Sequence, residues 1–419
     1  MTANIIDLGA LSRYDISLET AFVPEVATAT SLPPPFAPIE GLLSHPPLPE
    51  AISSGELRDK VRELPLYRPG DCSRLSLAEK RRMLVILTFV AHGYIWGNGV
   101  LPVIDRLPES ISVLLDRLSA ELGTAPLGTY ASTVLWNSRR KDEAKGWTLD
   151  NVSIDLTFTD TTDENWFYNV SVCVEAAGGK ALSSLLQVLF EIREDSPRRV
   201  HIQECFLEAQ NSLGKMLVIL KEVARMNNAT FYQKIRPYFG GWSLVNNRGV
   251  HYDGVDEPST YRTYVGISAA QSSLFQAFDI ILGISHGEFV AAYLRNIRTH
   301  MPSSHREFLG HLETDFGGTL SSFIDHQPDL ADGYHRCRRI LRDFRATHKS
   351  FAKRYAVEPA SFPGRSFGLA RLRSDGGGVE GAGGTRLLEF LEEIQHDTMK
   401  VSSPSLPSSP VSSRGPGIS

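Results

Sequence analysis

The chain has 419 residues, of which 42% are hydrophobic and 22% charged, and a formal net charge of -5. This length allows two or three domains, and the balance is that of an ordinary globular protein with a sizeable core. No basic block, aromatic ribbon or zinc-finger spacing points to nucleic acid, and the four cysteines, Cys72, Cys173, Cys205 and Cys337, lie far apart and form no CxxC pair, which argues against a secreted disulfide framework or a structural zinc site.

The start of the chain, MTANIIDLGALSRYD, lacks a charged region followed by an apolar one, and the longest apolar run, MLVILTFVA at 83–91, is about half a membrane span. A reducing cytoplasmic setting with no membrane partner is expected. Residues 31–49, SLPPPFAPIEGLLSHPPLP, are proline-dense, and the chain from 1 to 49 is expected to be an extended surface lead-in. A small domain over 50–158 follows. Ser76 and Glu79 have the spacing of a capping box, so a buried helix is predicted to begin there and end near Trp96, before GNG at 97–99. SISVLLDRLSAELG predicts a second helix ending at Gly123, and VSIDLTFT at 152–159 alternates like a strand.

From 159 to 400 helical periodicity dominates. Leu213, Met216, Leu217, Leu220 and Val223 mark one apolar face, and Leu274, Phe275, Phe278, Ile281 and Leu282 another. The aromatic- and glycine-rich stretch at 229–273 reads as an ordered functional loop whose beginning is helical. A mobile glycine-rich loop is expected at 363–384, then a last helix, TRLLEFLEEIQHDTM, and a disordered tail at 401–419. The fold class is mainly α, with a large helical domain and a smaller mixed N-terminal one.

Candidate chemistry centres on one histidine. Leu341, Phe344, His348, Phe351 and Tyr355 recur at intervals of three and four, so His348 shares an apolar helix face. It reads either as a core histidine satisfied by hydrogen bonds or as a metal or haem ligand; a haem needs a large apolar slot and one neutral imidazole, which a helical unit can provide. A competing iron site uses His286 and Glu288 of ISHGEF, the HxE half of a two-histidine, one-carboxylate triad, although that triad is usually housed in a β-barrel. No GxSxG, GxGxxG or GxxxxGK[ST] motif supports a hydrolase, dehydrogenase or kinase.

Eight segments occur in an order that goes beyond pattern: YIWGNG (94–99), TYASTVLWN (129–137), FYNVSVCVE (167–175), FYQKIRPYFGGW (231–242), QSSLFQAFDIILGI (271–284), MPSSHREFL (301–309), LRDFRATHKSFAKRY (341–355) and GAGGTRLLEFL (381–391). Together, over roughly 50–400, they resemble the indoleamine 2,3-dioxygenase family. The resemblance implies one haem b per chain in an all-helical large domain, with the smaller domain covering the distal side. It also implies insertion of both atoms of O2 across the indole C2–C3 bond of L-tryptophan or a related indoleamine, giving N-formylkynurenine. That reaction heads the kynurenine route, which can feed NAD biosynthesis, and it requires an electron donor to keep the iron reduced. A monomer is expected.

Residue by residue, the resemblance makes His348 the axial metal ligand. Phe231 and Arg236 become the pair that packs on the indole and holds the substrate carboxylate, a task suited to the planar guanidinium fork. Ser171 matches the distal serine, with Phe167 and Tyr130 in the same pocket, and Thr385 the threonine of the closing loop. Ser268 is expected near substrate and cofactor, and Asp279 with Arg345 as a charged pair steadying the proximal helix. Tyr232 stands where a second phenylalanine is common, adding a hydroxyl to the pocket edge. In YVGISAAQSS, Ile267 and Ala270 replace glycines of a GGSAGQSS form, which makes the backbone near Ser268 less permissive. These departures keep open a haem-binding paralogue with altered substrate or lost catalysis.

Overall fold

The structure, a computed structural model, describes residues 8–361, 367–371 and 379–400. The expected tail at 401–419 lies outside the described residues, as does much of the glycine-rich segment 363–384. Among the described residues the chain is mainly helical. Its strands make two short ladders, Arg106–Leu107 parallel to His251–Tyr252, and Ser138–Arg140 antiparallel to Val152–Ile154. The alternating 152–159 segment therefore pairs over only three residues.

The helix Leu77–Trp96 starts at the expected capping box: the Ser76 side chain accepts from the Glu79 N–H, and Glu79 accepts from the Ser76 N–H at 2.8 Å. Every residue from Met83 to Trp96 is buried, which explains the absence of a polar stripe in its sequence. Arg58 reaches the far end, donating to the carbonyls of Tyr94 and Pro102 at 3.0 and 2.8 Å, where free helix carbonyls need partners. Gly123, at φ 67°, ends the helix Glu109–Leu122 in the left-handed region.

The N-terminal segment departs from the extended lead-in. Pro34–Phe36, Ala37–Gly41 and Leu48–Ser54 are short helices, each with a proline in its first two positions, where the missing N–H costs no hydrogen bond. Nor is the segment superficial. Tyr14 and Phe22 are fully buried, Tyr14 edge-on to Phe308 at 5.6 Å and Phe22 against His305 at 4.7 Å. The core also runs past the expected boundary at 158, since Phe158 packs on Phe89 at 4.4 Å and stacks on Tyr238 at 4.8 Å.

The large helical part is built around the helix Arg199–Lys221, against which Thr162–Ala177, Gly179–Glu191 and the 25-residue helix Pro328–Ala352 all pack. The helix Leu387–Asp397 lies along Pro328–Ala352. The span Thr162–Glu191 is long and apolar enough to cross a membrane, but 83% of its apolar window is buried inside the fold. A cavity opens between these helices, and the three π-turns among the described residues, Ala131–Leu135, Phe231–Ile235 and Lys353–Val357, all contribute to its wall. Such turns widen a helix by one residue and are concentrated at functional sites.

Candidate functional site

The cavity encloses about 310 Å³ and is lined mostly by apolar side chains. On one wall the stripe of Pro328–Ala352, buried at Leu330, Tyr334, Cys337, Leu341 and Phe344, continues to His348, which faces the cavity. His348 makes no hydrogen bond among the described residues, so the satisfied core histidine is not what the fold provides. Burial pushes its pKa down and keeps the imidazole neutral, with lone-pair nitrogen available to a metal. An apolar cavity with one such nitrogen fits an axial haem ligand.

Behind His348 lies a buried charge network. Arg345 Nη2 donates to Asp279 Oδ1 at 2.6 Å and its Nη1 to Thr398 Oγ1 at 2.6 Å, tying the histidine's helix to Ser273–Ile281 and to the end of Leu387–Asp397. The second Asp279 oxygen meets His286 Nε2 at 3.1 Å, and His286 Nδ1 meets Asp397 Oδ2 at 3.2 Å. Burial alone would raise the Asp279 pKa, but Arg345 and His286 outweigh it and the carboxyl is held low. Burial opposes charge on His286 too, and Asp279 overrides it, raising the imidazole pKa.

This network removes the iron site of His286 and Glu288. His286 is buried between two carboxylates, whereas the Glu288 side chain is 87% exposed and bonds Arg295 at 2.9 Å. Glu288 opens its own helix, Glu288–Ile297, and faces away. No group of three or more potential metal-ligating His, Cys, Asp or Glu side chains occurs among the described residues.

On another wall, Phe167 and Ser171 project from Thr162–Ala177 one helical turn apart. Phe167 packs on Phe231 at 5.2 Å and on Phe239 at 5.5 Å, and Phe231 on Tyr355 at 5.8 Å. The Ser171 hydroxyl donates back to the Phe167 carbonyl at 2.8 Å. Arg236, 3% exposed, donates to the carbonyls of Leu369 and Glu380 at 2.7 and 2.6 Å. No carboxylate pairs with it among the described residues, and burial lowers its pKa to about 10. Unlike Arg58, which also donates to carbonyls, Arg236 lines the cavity, so its uncompensated charge is placed to receive an anion there.

Tyr232 does not line the cavity. Its hydroxyl donates to the Ala370 carbonyl at 3.0 Å and its ring lies 5.4 Å from the Arg236 guanidinium carbon, so it backs the arginine instead of adding a hydroxyl to the pocket edge. Ile267 fills part of the cavity wall, and Ser268 caps the turn Ala269–Gln271, accepting from the Ala270 N–H at 3.2 Å. Thr385 also reaches the wall but caps nothing, since the helix Leu387–Asp397 has Arg386 at its N-cap. The turn before it is pinned by Gly266 N–H to the Ala382 carbonyl at 2.8 Å.

Two features at the wall carry no role in the sequence reading. Tyr293 lines the cavity beside Ser268, and a side chain at Gly383 would push against its hydroxyl. Glu175, fully buried, stands behind the wall with Oε1 accepting from Ser272 Oγ at 2.6 Å and with the Tyr130 hydroxyl beside it. The signal for Glu175 was available: Phe167, Ser171 and Glu175 are spaced by four in FYNVSVCVE, on one helix face, and the carboxyl sits in an apolar run.

The comparisons agree with this architecture. The family profile described as Indoleamine 2,3-dioxygenase matches residues 10–401. The chain is 32% identical to indoleamine 2,3-dioxygenase nanC of Aspergillus nanangensis, over 93% of this chain and 96% of that protein. It is 30% identical to 6-hydroxytryptophan 2,3-dioxygenase fscD of Fusarium equiseti, over 93% and 97%. A protein named myoglobin from Haliotis madaka is 30% identical over 93% and 98%. The mainly helical fold and a match across nearly the whole chain place this protein in the indoleamine 2,3-dioxygenase family.

Proposed function

We propose that the chain is a cytoplasmic, monomeric, haem-dependent dioxygenase that adds both atoms of O2 across the indole C2–C3 bond of L-tryptophan or a ring-substituted tryptophan. The product from L-tryptophan is N-formylkynurenine, and the step opens the kynurenine route. One observation carries this reading: among the described residues, a buried arginine without a carboxylate partner and a neutral histidine without a hydrogen bond share one apolar cavity.

The roles follow from the chemistry of each side chain. His348 would hold the haem iron through its free ring nitrogen, and Arg345 with Asp279 fixes the helix that presents it. When bound, haem supplies a reduced iron that activates dioxygen, with an external electron donor restoring it if oxidised. Arg236 holds the substrate carboxylate, and Phe167 and Phe231 flank the indole. Ser171, Ser268, Thr385 and Tyr130 complete the wall, with Ser268 also on the cofactor side. The apolar lining excludes water, and positioning is the protein's main contribution. The relative named for 6-hydroxytryptophan supports keeping ring-hydroxylated substrates in the class.

The test is to purify the protein, record its absorption spectrum, and add L-tryptophan, ascorbate and methylene blue. A Soret band and N-formylkynurenine are expected; no Soret band under haem supplementation overturns the reading. A second reading, haem binding without turnover, is favoured by the relative named myoglobin. It predicts the spectrum and no product from any indole.

A further inference from the structure

Two carboxyls on the helix Thr162–Ala177 are fully buried, and they differ in their surroundings. Glu164 accepts from the N–H groups of Phe158 and Thr159 at 2.8 and 2.7 Å and from the Thr159 hydroxyl at 2.6 Å. It is a structural carboxyl, satisfied by a loop. Glu175 accepts one well-aligned hydrogen bond, from Ser272, and its Oε2 has none, although the Tyr130 hydroxyl stands beside it. The two residues whose hydroxyls neighbour it, Tyr130 and Ser272, are both part of the cavity wall, whereas Phe158 and Thr159 are not. No lysine, arginine or histidine compensates it, and Tyr130 is the one titratable side chain acting on it among the described residues.

The position of this pair relative to Arg236 gives it meaning. Phe167 packs with Phe231 and Phe239, which line the same cavity as Arg236, and Glu175 lies eight residues further along the same helix. At 1.5 Å per residue that is about 12 Å. An amino acid held by its carboxylate at Arg236, with its indole between Phe167 and Phe231, turns the far edge of that indole away from the arginine.

Resting on the reading of this cavity as an indole amino-acid site, we propose that Glu175 is a positioning residue. It fixes the Tyr130 and Ser272 hydroxyls, so that the end of the cavity remote from Arg236 favours an indole carrying a ring hydroxyl over the unsubstituted indole. Burial raises the Glu175 pKa to about 7 and that of the Tyr130 phenol well above its usual value. Protonated, the carboxyl accepts from Ser272 on one oxygen and donates from the other to Tyr130, leaving the phenol proton free to point into the cavity. Ionised, it takes the phenol proton for itself, and the wall loses its donor. A site that pairs with a substrate hydroxyl discriminates strongly against analogues that lack it.

The test uses the haem-reconstituted full chain with L-tryptophan and with 5- and 6-hydroxy-L-tryptophan. At pH 6 the wild type is expected to favour a hydroxylated substrate at least tenfold in kcat/KM, and the ratio is expected to fall as pH rises through 7. Glu175→Gln, whose amide accepts from Ser272 and donates to Tyr130, keeps the ratio and removes its pH dependence. Glu175→Leu brings the ratio to within about twofold of unity, as expected when one hydrogen-bonding wall is lost. A ratio unchanged by Leu, or an equal pH dependence in Gln, overturns the proposal.

Thermal melts of the haem-free chain judge the buried carboxyl independently of catalysis. The folded pKa is raised above the ordinary 4.5, so stability present at low pH is lost as pH climbs toward 7. Glu175→Gln should therefore gain several degrees over wild type at pH 8 relative to pH 5, and a gap equal at both pH values overturns the assignment. Absence of product from every substrate, with these melts as expected, marks failure of the dioxygenase reading and not of the buried carboxyl.

Discussion

His92 and His348 both lie on long helices among apolar neighbours, yet the fold treats them in opposite ways. His92 Nδ1 donates to the Tyr238 carbonyl at 2.7 Å, its Nε2 accepts from the Gly128 N–H at 2.9 Å, and its ring packs on Trp242 at 4.6 Å. Burial pushes its pKa down to about 4, and the neutral ring acts as a three-way joint between distant segments. His348 is neutral for the same reason but has neither hydrogen bond, and faces the cavity. Burial and neutrality are common to structural and ligating histidines; what separates them is whether the ring nitrogens are already used.

The sharpest way to break this comparison is to remove each ring. His348→Ala is expected to abolish haem retention, read as loss of the Soret band after reconstitution, with little change in the melting of the haem-free chain. His92→Ala should keep the Soret band and lose about 2–4 kcal/mol of stability in denaturant titration, because it leaves a cavity, a carbonyl and an N–H without partners. A His348→Ala protein with full haem occupancy would erase the distinction.

The same logic extends to two of the buried guanidinium groups. Among the described residues Arg236 donates to carbonyls only, whereas Arg345 has a carboxylate. Arg236→Met should lower kcat/KM about 100-fold to 1,000-fold, chiefly through KM, by deleting a desolvated partner for the substrate carboxylate. Its melting temperature should change little, since removing a buried cation without a counter-ion offsets the two carbonyl hydrogen bonds that are lost. Asp279→Asn, in contrast, strands Arg345 beside His286 and should cost about 3–5 kcal/mol. The pH dependence follows from the signs. The depressed Asp279 pKa gives stability present above its unfolded value of 3.8 and lost as pH falls through the folded one, and the raised His286 pKa gives stability present below 6.5 and lost as pH rises through its folded value. The stability gap between wild type and His286→Gln should therefore narrow above pH 6.5; a gap that widens there would show an uncharged role for the ring.

These contrasts also mark what sequence could reveal. The capping box at Ser76 and Glu79 was legible because its partners are three residues apart, and the His348 stripe because helical phase is local. The short helices around Pro34, Pro38 and Pro49 were read as extended chain because proline breaks a helix interior but opens a first turn, and composition does not distinguish the two. The burial of His286 is not legible in the sequence because the carboxylate on its far side, Asp397, is 111 positions away. The resemblance supplied candidate residues, but the unbonded state of His348 and the uncompensated charge of Arg236 depend on what is missing around them. Such absences are properties of the packed molecule.

Tyr232 gives the smallest and most discriminating case. At the pocket edge its hydroxyl would meet substrate, and Tyr232→Phe would change KM. In the structure that hydroxyl donates to the Ala370 carbonyl, and the ring's other neighbour is the guanidinium of Arg236. The Leu369 carbonyl, one residue away, is itself an acceptor for Arg236, so the tyrosine and the arginine hold the same short turn, Gly368–Arg371. Removing the hydroxyl should cost about 0.5–1.5 kcal/mol of stability, the net worth of one buried hydrogen bond. KM for an indole amino acid should move by less than about twofold, because the arginine keeps both of its carbonyl contacts and falls short of the tenfold that 1.4 kcal/mol would bring. A KM shift without a loss of stability would put the phenol back in the cavity and displace Arg236 as the anchor of that end.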